Sequence, residues 1–432
     1  GQSKDYDHWR QLGNFGWGWD DVLPYFKKTE DNFTGSDEFH GAGGEWRVDR
    51  QRLSWRVLDD FQDATVQSGI PKIDDFNNGN NFGVSYFKVN QKNGLRLNSV
   101  KAFINPIKHR KNLKIFTDCE VSNIIIKNNR SVGVAINSKG KKIDLFCNKE
   151  VILSSGSIGT PKILELSGIG NPKVLKKNGI DIKVRSKNVG ENLQDHLQLR
   201  VIYKLQNAET LNEKINSSFG KLKIGMEYFF KRSGPMSMAP SQLGVFAMSD
   251  PSYAMPNLQF HVQPLSLDKF GEPLHKFPGL TTSVCNLNPL SRGSVHINSS
   301  DYNVPPEINP NYLSDMTDKK VAAQSIKLAR RIINQPAMKK YNPEEHAPGE
   351  RFKTDKDLEK VAGEIGTTIF HPVGTCSMGI HPEAVTGPDL KVKGIDDLRI
   401  VDASIMPTIT SGNTNSPTLM IAEKASEMIL TD

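Results

Sequence analysis

Glu150-Val151-Ile152-Leu153-Ser154-Ser155-Gly156 runs directly into Ser157-Ile158-Gly159-Thr160-Pro161, and the reading of this stretch decides the fold. Glu150 to Ser154, with its apolar run Val-Ile-Leu, reads as a buried strand. Ser155-Gly156 ends it, Thr160-Pro161 is expected to open a helix with Pro at its first position, and Ser167-Gly168 is expected to stop that helix. A buried strand, a turn of small residues and a helix start bring backbone N–H groups close to the phosphate or ribose edge of a nucleotide.

Upstream, the pattern is that of a β-meander. Lys114 to Lys127 is rich in Ile and Val, Asn128-Asn129 turns, Ser131 to Asn137 continues, Lys139-Gly140 turns again, and Lys141 to Asn148 makes a third strand. Residues 71 to 95 are loop-rich, and before them a helix is expected from Ser54, as N-cap, to Gly69, with Trp55, Leu58, Phe61 and Val66 on its apolar face. Further upstream, Trp9, Phe15, Trp17, Trp19, Tyr25 and Phe26 surround Gly13, Gly16 and Gly18, a compact loop and helix cap.

Downstream, residues 200 to 365 alternate short strands, such as Asn257 to Gln263 and Gly293 to Asn298, with loops. One long helix runs from about Asp315 to Asn334, with Val321, Ile326, Ala329 and Ile333 on a single stripe that suits packing on a sheet. This region reads as a substrate-side domain. The last 70 or so residues return to the first pattern: a loop at His371-Pro372-Val373-Gly374-Thr375-Cys376, a buried strand at Leu398 to Asp402, and a helix from Ser416 to Leu430 with Ser416 as N-cap and Pro417 at its first position.

Composition excludes some classes of protein. With 432 residues, 37% apolar, 24% charged, 35 Gly and 24 Pro, the chain reads as globular and rich in turns. The net charge of +7 is carried by scattered pairs such as Lys27-Lys28, Lys141-Lys142 and Lys319-Lys320. No basic helix and no interleaved aromatic residues point to nucleic acid, so a solvated surface is the reading. No apolar run approaches the ~20 residues of a membrane span. The four cysteines have no CxxC spacing and are expected to be reduced thiols of a cytoplasmic protein, with peripheral attachment to the inner membrane as the alternative.

Chemistry concentrates near the end of the chain. His371 sits in a loop held by Pro and Gly, a place for an acid–base group, although with ten histidines in the chain a lone one is more often structural. The helix start at Ser416 presents unpaired N–H groups and partial positive charge to whatever lies before it. Asn413 and Asn415, just ahead, could bind the same group or simply serve the turn. HExxH, clustered His/Cys ligands, GxSxG, a Walker loop and GxGxxG do not occur, so metal, hydrolase and kinase chemistry are not expected.

These residues resemble the glucose-methanol-choline (GMC) oxidoreductase family, and the likeness runs along essentially the whole chain. Its most specific block is Gly156-Ser157-Ile158-Gly159-Thr160-Pro161-Lys162-Ile163-Leu164-Glu165-Leu166-Ser167-Gly168-Ile169-Gly170, which looks like that family's second signature. Asn188 to His196, His371 to Gly379, Val401 to Pro407 and the run from Asn413 to Lys424 are similar to later family motifs, and Asp5-Tyr6-Asp7-His8-Trp9 with Gly16-Trp17 to an early one. The version here is most similar to the choline-dehydrogenase-like branch.

The resemblance implies a mixed α/β fold: a doubly wound domain binding FAD, facing a substrate domain built on an antiparallel sheet with helices. On this basis residues 1–95 would form a cap and the start of the substrate domain, 96–200 part of the FAD domain, 201–365 the substrate domain, and 366–432 the C-terminal part of the FAD domain. His371 would accept the alcohol proton, and Asn413 would be the second catalytic residue. Val121 would meet the adenine through its backbone, Asp402 and Ala403 would lie along the diphosphate and ribityl chain, and Asn415, Pro417 and Thr418 would meet the flavin ring. The reaction implied is oxidation of a primary alcohol, choline-like or aliphatic, to the aldehyde. A quinone, another carrier or oxygen would be the electron acceptor.

One departure stands out. In the family a GxGxxG segment and a long βαβ unit precede the part like Asp5 to Trp9. Such a unit takes about 30 residues, and four precede Asp5. The sequence is therefore expected to be a fragment or incomplete gene product, with an inactive remnant, and below it a flavin-containing lyase on the same scaffold, as competing readings. For a choline ammonium group, Glu227, Asp268 and Phe270 are the acidic and aromatic candidates.

Overall fold

The computed structural model describes residues 1–239, 241–269 and 271–432. Helices α1 (Ser3–Gln11), α2 (Trp19–Thr29) and α3 (Arg56–Gln67) come first, then strand β1 (Gly83–Tyr86). A meander follows, β2 (Cys119–Lys127), β3 (Arg130–Ser138) and β4 (Lys141–Phe146), and leads into β5 (Val151–Leu153) and α4 (Gly156–Leu166). The middle of the chain supplies β6 (Leu197–Lys204), β7 (Leu243–Ala247), β8 (Leu258–Gln263), β9 (Gly279–Asn286), α5 (Met316–Ile333), β10 (Glu344–Ala347), α6 (Asp355–Ile365) and β11 (Gly366–Thr368). Strand β12 (Leu398–Ile400) and helix α7 (Asn415–Thr431) complete the set.

Two cores result. The larger lies under an antiparallel sheet of order β10-β6-β9-β8-β7-β1, with β11 also pairing β6. Register aligns Val84, Val245, Phe260, Val284 and Leu199 across five strands. All five are buried and belong to the core shared with α3, α5 and α6. Each such side chain contributes about 1.5–3 kcal/mol over an exposed one. Because side chains alternate across a strand, the next residues in register, Phe246, Gln259, Cys285 and Gln198, face the other way, as do Gly244, His261, Ser283 and Arg200. That second face carries polar side chains, among them Gln198, Arg200, Gln259 and His261.

The smaller core joins β5, which pairs parallel with β12, to α4, α7 and the meander. Tyr6 and Trp9 of α1, Val22 of α2 and Trp17 of the loop between them belong to it, although the sequence grouped them with the cap. Trp9 and Trp17 donate their indole N–H groups to the carbonyls of Thr408 (3.0 Å) and Pro388 (2.9 Å), which explains why these rings are buried so close to the C-terminal segment. The expected boundary at residue 200 falls inside β6. The meander occurs as expected, with its first strand starting at Cys119 and not Lys114, and Asn128 and Asn129 both at positive φ, as a tight two-residue hairpin requires.

Three expected helix starts move. The N-cap of α3 is Trp55 and not Ser54. Helix α4 begins at Gly156, so Pro161 lies inside it. The Ser157 carbonyl, which a residue with an N–H at 161 would bond, instead accepts from the Thr375 hydroxyl at 2.7 Å. Helix α7 has Thr414 as N-cap and Asn415 first, leaving Pro417 at the third position, where a helix still lacks an internal partner for the N–H that Pro does not have. Each shift replaces a local sequence signal by a tertiary contact or by the freedom of the first turn.

Candidate active site

The parallel strands β5 and β12 end side by side, and the loops after them are joined through Asp402. Its carboxylate accepts from the Gly156 N–H (3.0 Å), the Thr160 hydroxyl (2.6 Å) and the Ser404 N–H (2.8 Å). Three protein donors thus occupy the Asp402 side chain. Gly156 has φ +72°, and a side chain there would point into open space. Beside it a groove is lined by Val121, Gly133, Val134, Leu153, Ser154 and Ser155. Apolar walls with a polar main-chain edge suit the adenosine end of a dinucleotide.

The other end of such a cofactor has a matching feature. Helix α7 runs 17 residues, its N-cap Thr414 makes no side-chain capping bond, and Asn415 and Ser416 are exposed. Its first-turn N–H groups are therefore available to a group that accumulates negative charge. The preceding loop is fixed from two sides: Asp5 of α1 accepts from the Ser411 N–H (2.8 Å) and hydroxyl (2.9 Å), and Asn288 donates to the same hydroxyl at 3.2 Å. Both ends fit the flavin dinucleotide expected from the sequence.

Asn413, exposed on this loop, accepts a hydrogen bond at Oδ1 from Gln259 Nε2 at 3.2 Å. Its amide N–H₂ is left to donate. Gln259 Oε1 and His261 Nε2, on the same face of β8, are buried without a protein partner among the described residues. Phe87 stacks on His261 at 5.3 Å, and Phe76, Phe246, Cys285 and Leu287 form the small apolar cluster next to it. Gly244 makes room for this, since a side chain there would strike the Phe87 ring.

His371 completes the group. It is 8% exposed, its N–H donates to Asp195 Oδ1 at 2.8 Å, and its Nδ1 lies 3.0 Å from His196 Nδ1. Asp195 Oδ2 also accepts from the hydroxyls of Thr368 and Tyr312. This clamp holds Phe370 at φ +66°, an unfavourable value for a bulky residue. Burial, with a smaller contribution from His196 and His261, pushes the His371 pKa far below the usual histidine range, and burial lowers His261 to about 4. Each is a neutral imidazole near pH 7.

Asp195, His196, Gln259 and His261 were not singled out from sequence. The first two lie in a recognised block without an assigned role. The last two alternate with Leu258, Phe260 and Val262, and polar residues in strict alternation within a fully buried strand are the signal that marks a lined cavity. The ammonium candidates fare differently. Glu227 binds the Ser233 hydroxyl (3.2 Å), Asp268 meets His275 (3.2 Å) in a surface cluster with His346, and Phe270 lies outside the described residues. That cluster is the one group among the described residues able to hold a metal ion, and its members are too scattered in sequence to form a motif.

Residues 1–198 and 289–422 match the N- and C-terminal family models for GMC oxidoreductases. The chain belongs to the GMC oxidoreductase family. It is 37% identical to an alcohol dehydrogenase [acceptor] of Pseudomonas putida, over 100% of this chain and 78% of that protein. It is 35% identical to the mitochondrial choline dehydrogenase of Homo sapiens, over 99% and 72%. Among solved structures it is similar to a pyridoxine 4-oxidase from Mesorbium loti (TM-score 0.89, 25% identity, 100% and 81% covered). A variant formate oxidase of Aspergillus oryzae, studied for its FAD modification, superposes with TM-score 0.92 at 25% identity, with the same coverage. This GMC chain has the mixed α/β architecture expected of it, and among its described residues no helix is long and apolar enough to cross a membrane. Its four cysteines are unpaired.

Proposed function

We propose that this GMC chain oxidises a primary alcohol to the aldehyde with FAD, using His371 as the base and Asn413 as the oxygen-binding residue. FAD, when bound, supplies the acceptor for the hydride. Val121 and the main chain of Asp402 and Ala403 would hold its adenosine, diphosphate and ribityl parts, and Asn415, Pro417 and Thr418 its ring. The first turn of α7 would offset negative charge on that ring.

The alcohol oxygen would lie between the Asn413 N–H₂ and the free Nε2 of His371, which takes the hydroxyl proton. Loss of that proton makes the carbon a better hydride donor. The observation that carries the reading is the set of polar atoms gathered without protein partners on one face of the sheet: Gln259 Oε1 and His261 Nε2, beside Asn413. Buried polar atoms left unpaired mark a place where another molecule completes the bonding.

The substrate class follows from the same face. Apart from Arg200 its residues are uncharged, and Phe76, Phe87 and Phe246 form an apolar wall. An uncharged aliphatic alcohol suits it better than choline, whose cation would meet aromatic rings but no carboxylate on this face. Electrons would leave to a quinone, another carrier or oxygen.

The test is anaerobic titration of the flavin-loaded protein with 1-alkanols and choline. Bleaching of the flavin band is expected with alkanols, at higher kcat/KM than with choline. A flavin that no alcohol reduces would overturn the reading and leave a lyase or an inactive remnant; a preference for choline would overturn the substrate class alone.

A further inference from the structure

We infer that His196 is a positioning residue for His371, fixing which of its ring nitrogens carries the proton. The consequence for catalysis rests on the alcohol-oxidation reading; the geometry does not.

His196 is fully buried, and its Nε2 lies 3.1 Å from the Leu287 carbonyl. A carbonyl only accepts, so this nitrogen of His196 carries a hydrogen. The carbonyl is held in place, because Leu287 is itself fully buried and the N–H of the same peptide unit, that of Asn288, is bonded to Asn286 Oδ1 at 3.1 Å. Burial disfavours the charged form of His196, so the ring holds a single proton and its Nδ1 is a bare acceptor.

That acceptor lies 3.0 Å from His371 Nδ1, with the two rings edge to face at 85°. A hydrogen bond at this distance needs one proton, and only His371 can provide it. His371 is therefore the Nδ1–H tautomer, and its Nε2 keeps the lone pair that abstracts a proton. The alternative tautomers set two lone pairs against each other, either at Leu287 or between the rings. The nearby carboxylate does not orient the ring, because Asp195 meets the main-chain N–H of His371 and two hydroxyls, not the imidazole.

An imidazole in this role differs from a carboxylate. A carboxylate would stabilise the imidazolium and raise the pKa of the base. His196 orients the ring without adding negative charge, so His371 takes the alcohol proton and readily releases it.

The test is ¹⁵N NMR of the histidine-labelled full chain at neutral pH, with His196→Gln and His371→Asn used to assign the ring signals. The expected result is a pyrrole-type Nδ1 and a pyridine-type Nε2 for His371, and the reverse for His196. A pyridine-type Nδ1 in His371 overturns the proposal, whatever the enzyme does. In the flavin-loaded protein, His196→Leu should lower kcat by about 100-fold or more with little change in KM. His196→Gln, which retains one donor and one acceptor, should recover most of that loss. An unchanged His371 tautomer in the Leu variant would assign His196 a merely structural role and also overturn the proposal. If the wild-type tautomers are as stated and no alcohol reduces the flavin, the functional reading fails while this one stands.

Discussion

Gln259 Nε2 donates to Asn413 Oδ1 at 3.2 Å, a single bond that ties the loop ahead of α7 to the middle of the antiparallel sheet. It engages the oxygen of the Asn413 amide and leaves its N–H₂ group to donate, in the proposed reaction to the substrate oxygen. Asn413→Ala should lower kcat/KM by about 10- to 100-fold, the value of one hydrogen bond to an oxygen gaining charge. Gln259→Ala leaves the amide present but unset and should cost less. In steady-state kinetics the double variant should lose no more than Asn413→Ala alone, because neighbours in one chain of bonds are not additive. Fully additive losses would show that the two residues act separately.

Asp195 governs the turn that presents His371, the proposed base. Its carboxylate accepts from the His371 N–H and from the Thr368 and Tyr312 hydroxyls. Asp195→Asn turns one acceptor into a donor facing donors. In urea unfolding it should cost about 2–4 kcal/mol, and kcat should fall because Phe370 can then leave its strained φ of +66°. Tyr312→Phe removes one of three donors and should cost about 1 kcal/mol, with activity largely retained. Equal effects of the two variants on kcat would refute the clamp.

Far from this site, His40 is buried between Glu30 (3.2 Å) and Asp75 (2.9 Å). Hydrogen bonds to Asp75 and Glu30 outweigh burial and raise its pKa to about 9. The folded form therefore binds a proton that the unfolded chain releases above about pH 6.5, and the stabilisation, on the order of 3 kcal/mol, is full below that pH and lost as pH rises to about 9. His196, His261 and His371 have the opposite sign: held neutral by burial, they make the folded state lose stability as pH falls below about 6.5. Urea unfolding across this range should give a maximum near pH 6.5. His40→Gln should flatten the alkaline side alone; an unchanged alkaline slope would exclude the ion pair as its cause.

What the sequence disclosed and what it concealed have a common physical basis. The strand at Val151 to Leu153, the meander and the helix at 316–333 were legible because period and turn residues act locally, as the positive φ at Asn128 and Asn129 shows. His371 and Asn413 were nominated through a family likeness. The partners that make them a site, His196, Asp195 and Gln259, are 175, 176 and 154 residues away from them, and only the folded sheet brings them into contact. Helix starts failed for a related reason. At Thr160 a good local capping signal gives way to a contact from a distant segment, the Thr375 hydroxyl on the Ser157 carbonyl, and at Ser416 the first turn of a helix tolerates Pro beyond its first position.

Pro161 shows how such a contact can be tested. Lying inside α4, it leaves the buried Ser157 carbonyl without its helical partner, and the Thr375 hydroxyl fills the place at 2.7 Å. The same bond holds the loop that runs on from His371. Thr375→Val keeps the shape and removes the donor, so it should destabilise the protein by about 1–3 kcal/mol, the cost of an unsatisfied buried carbonyl. Pro161→Ala restores an N–H to the helix at the position that faces this carbonyl. In the Thr375→Val background it should recover a large part of the lost stability; in the wild type it should gain little, since the carbonyl is already bonded. The double-mutant cycle read by urea unfolding gives the coupling directly. Simple additivity would mean that Thr375 does not replace the bond that Pro161 cannot make.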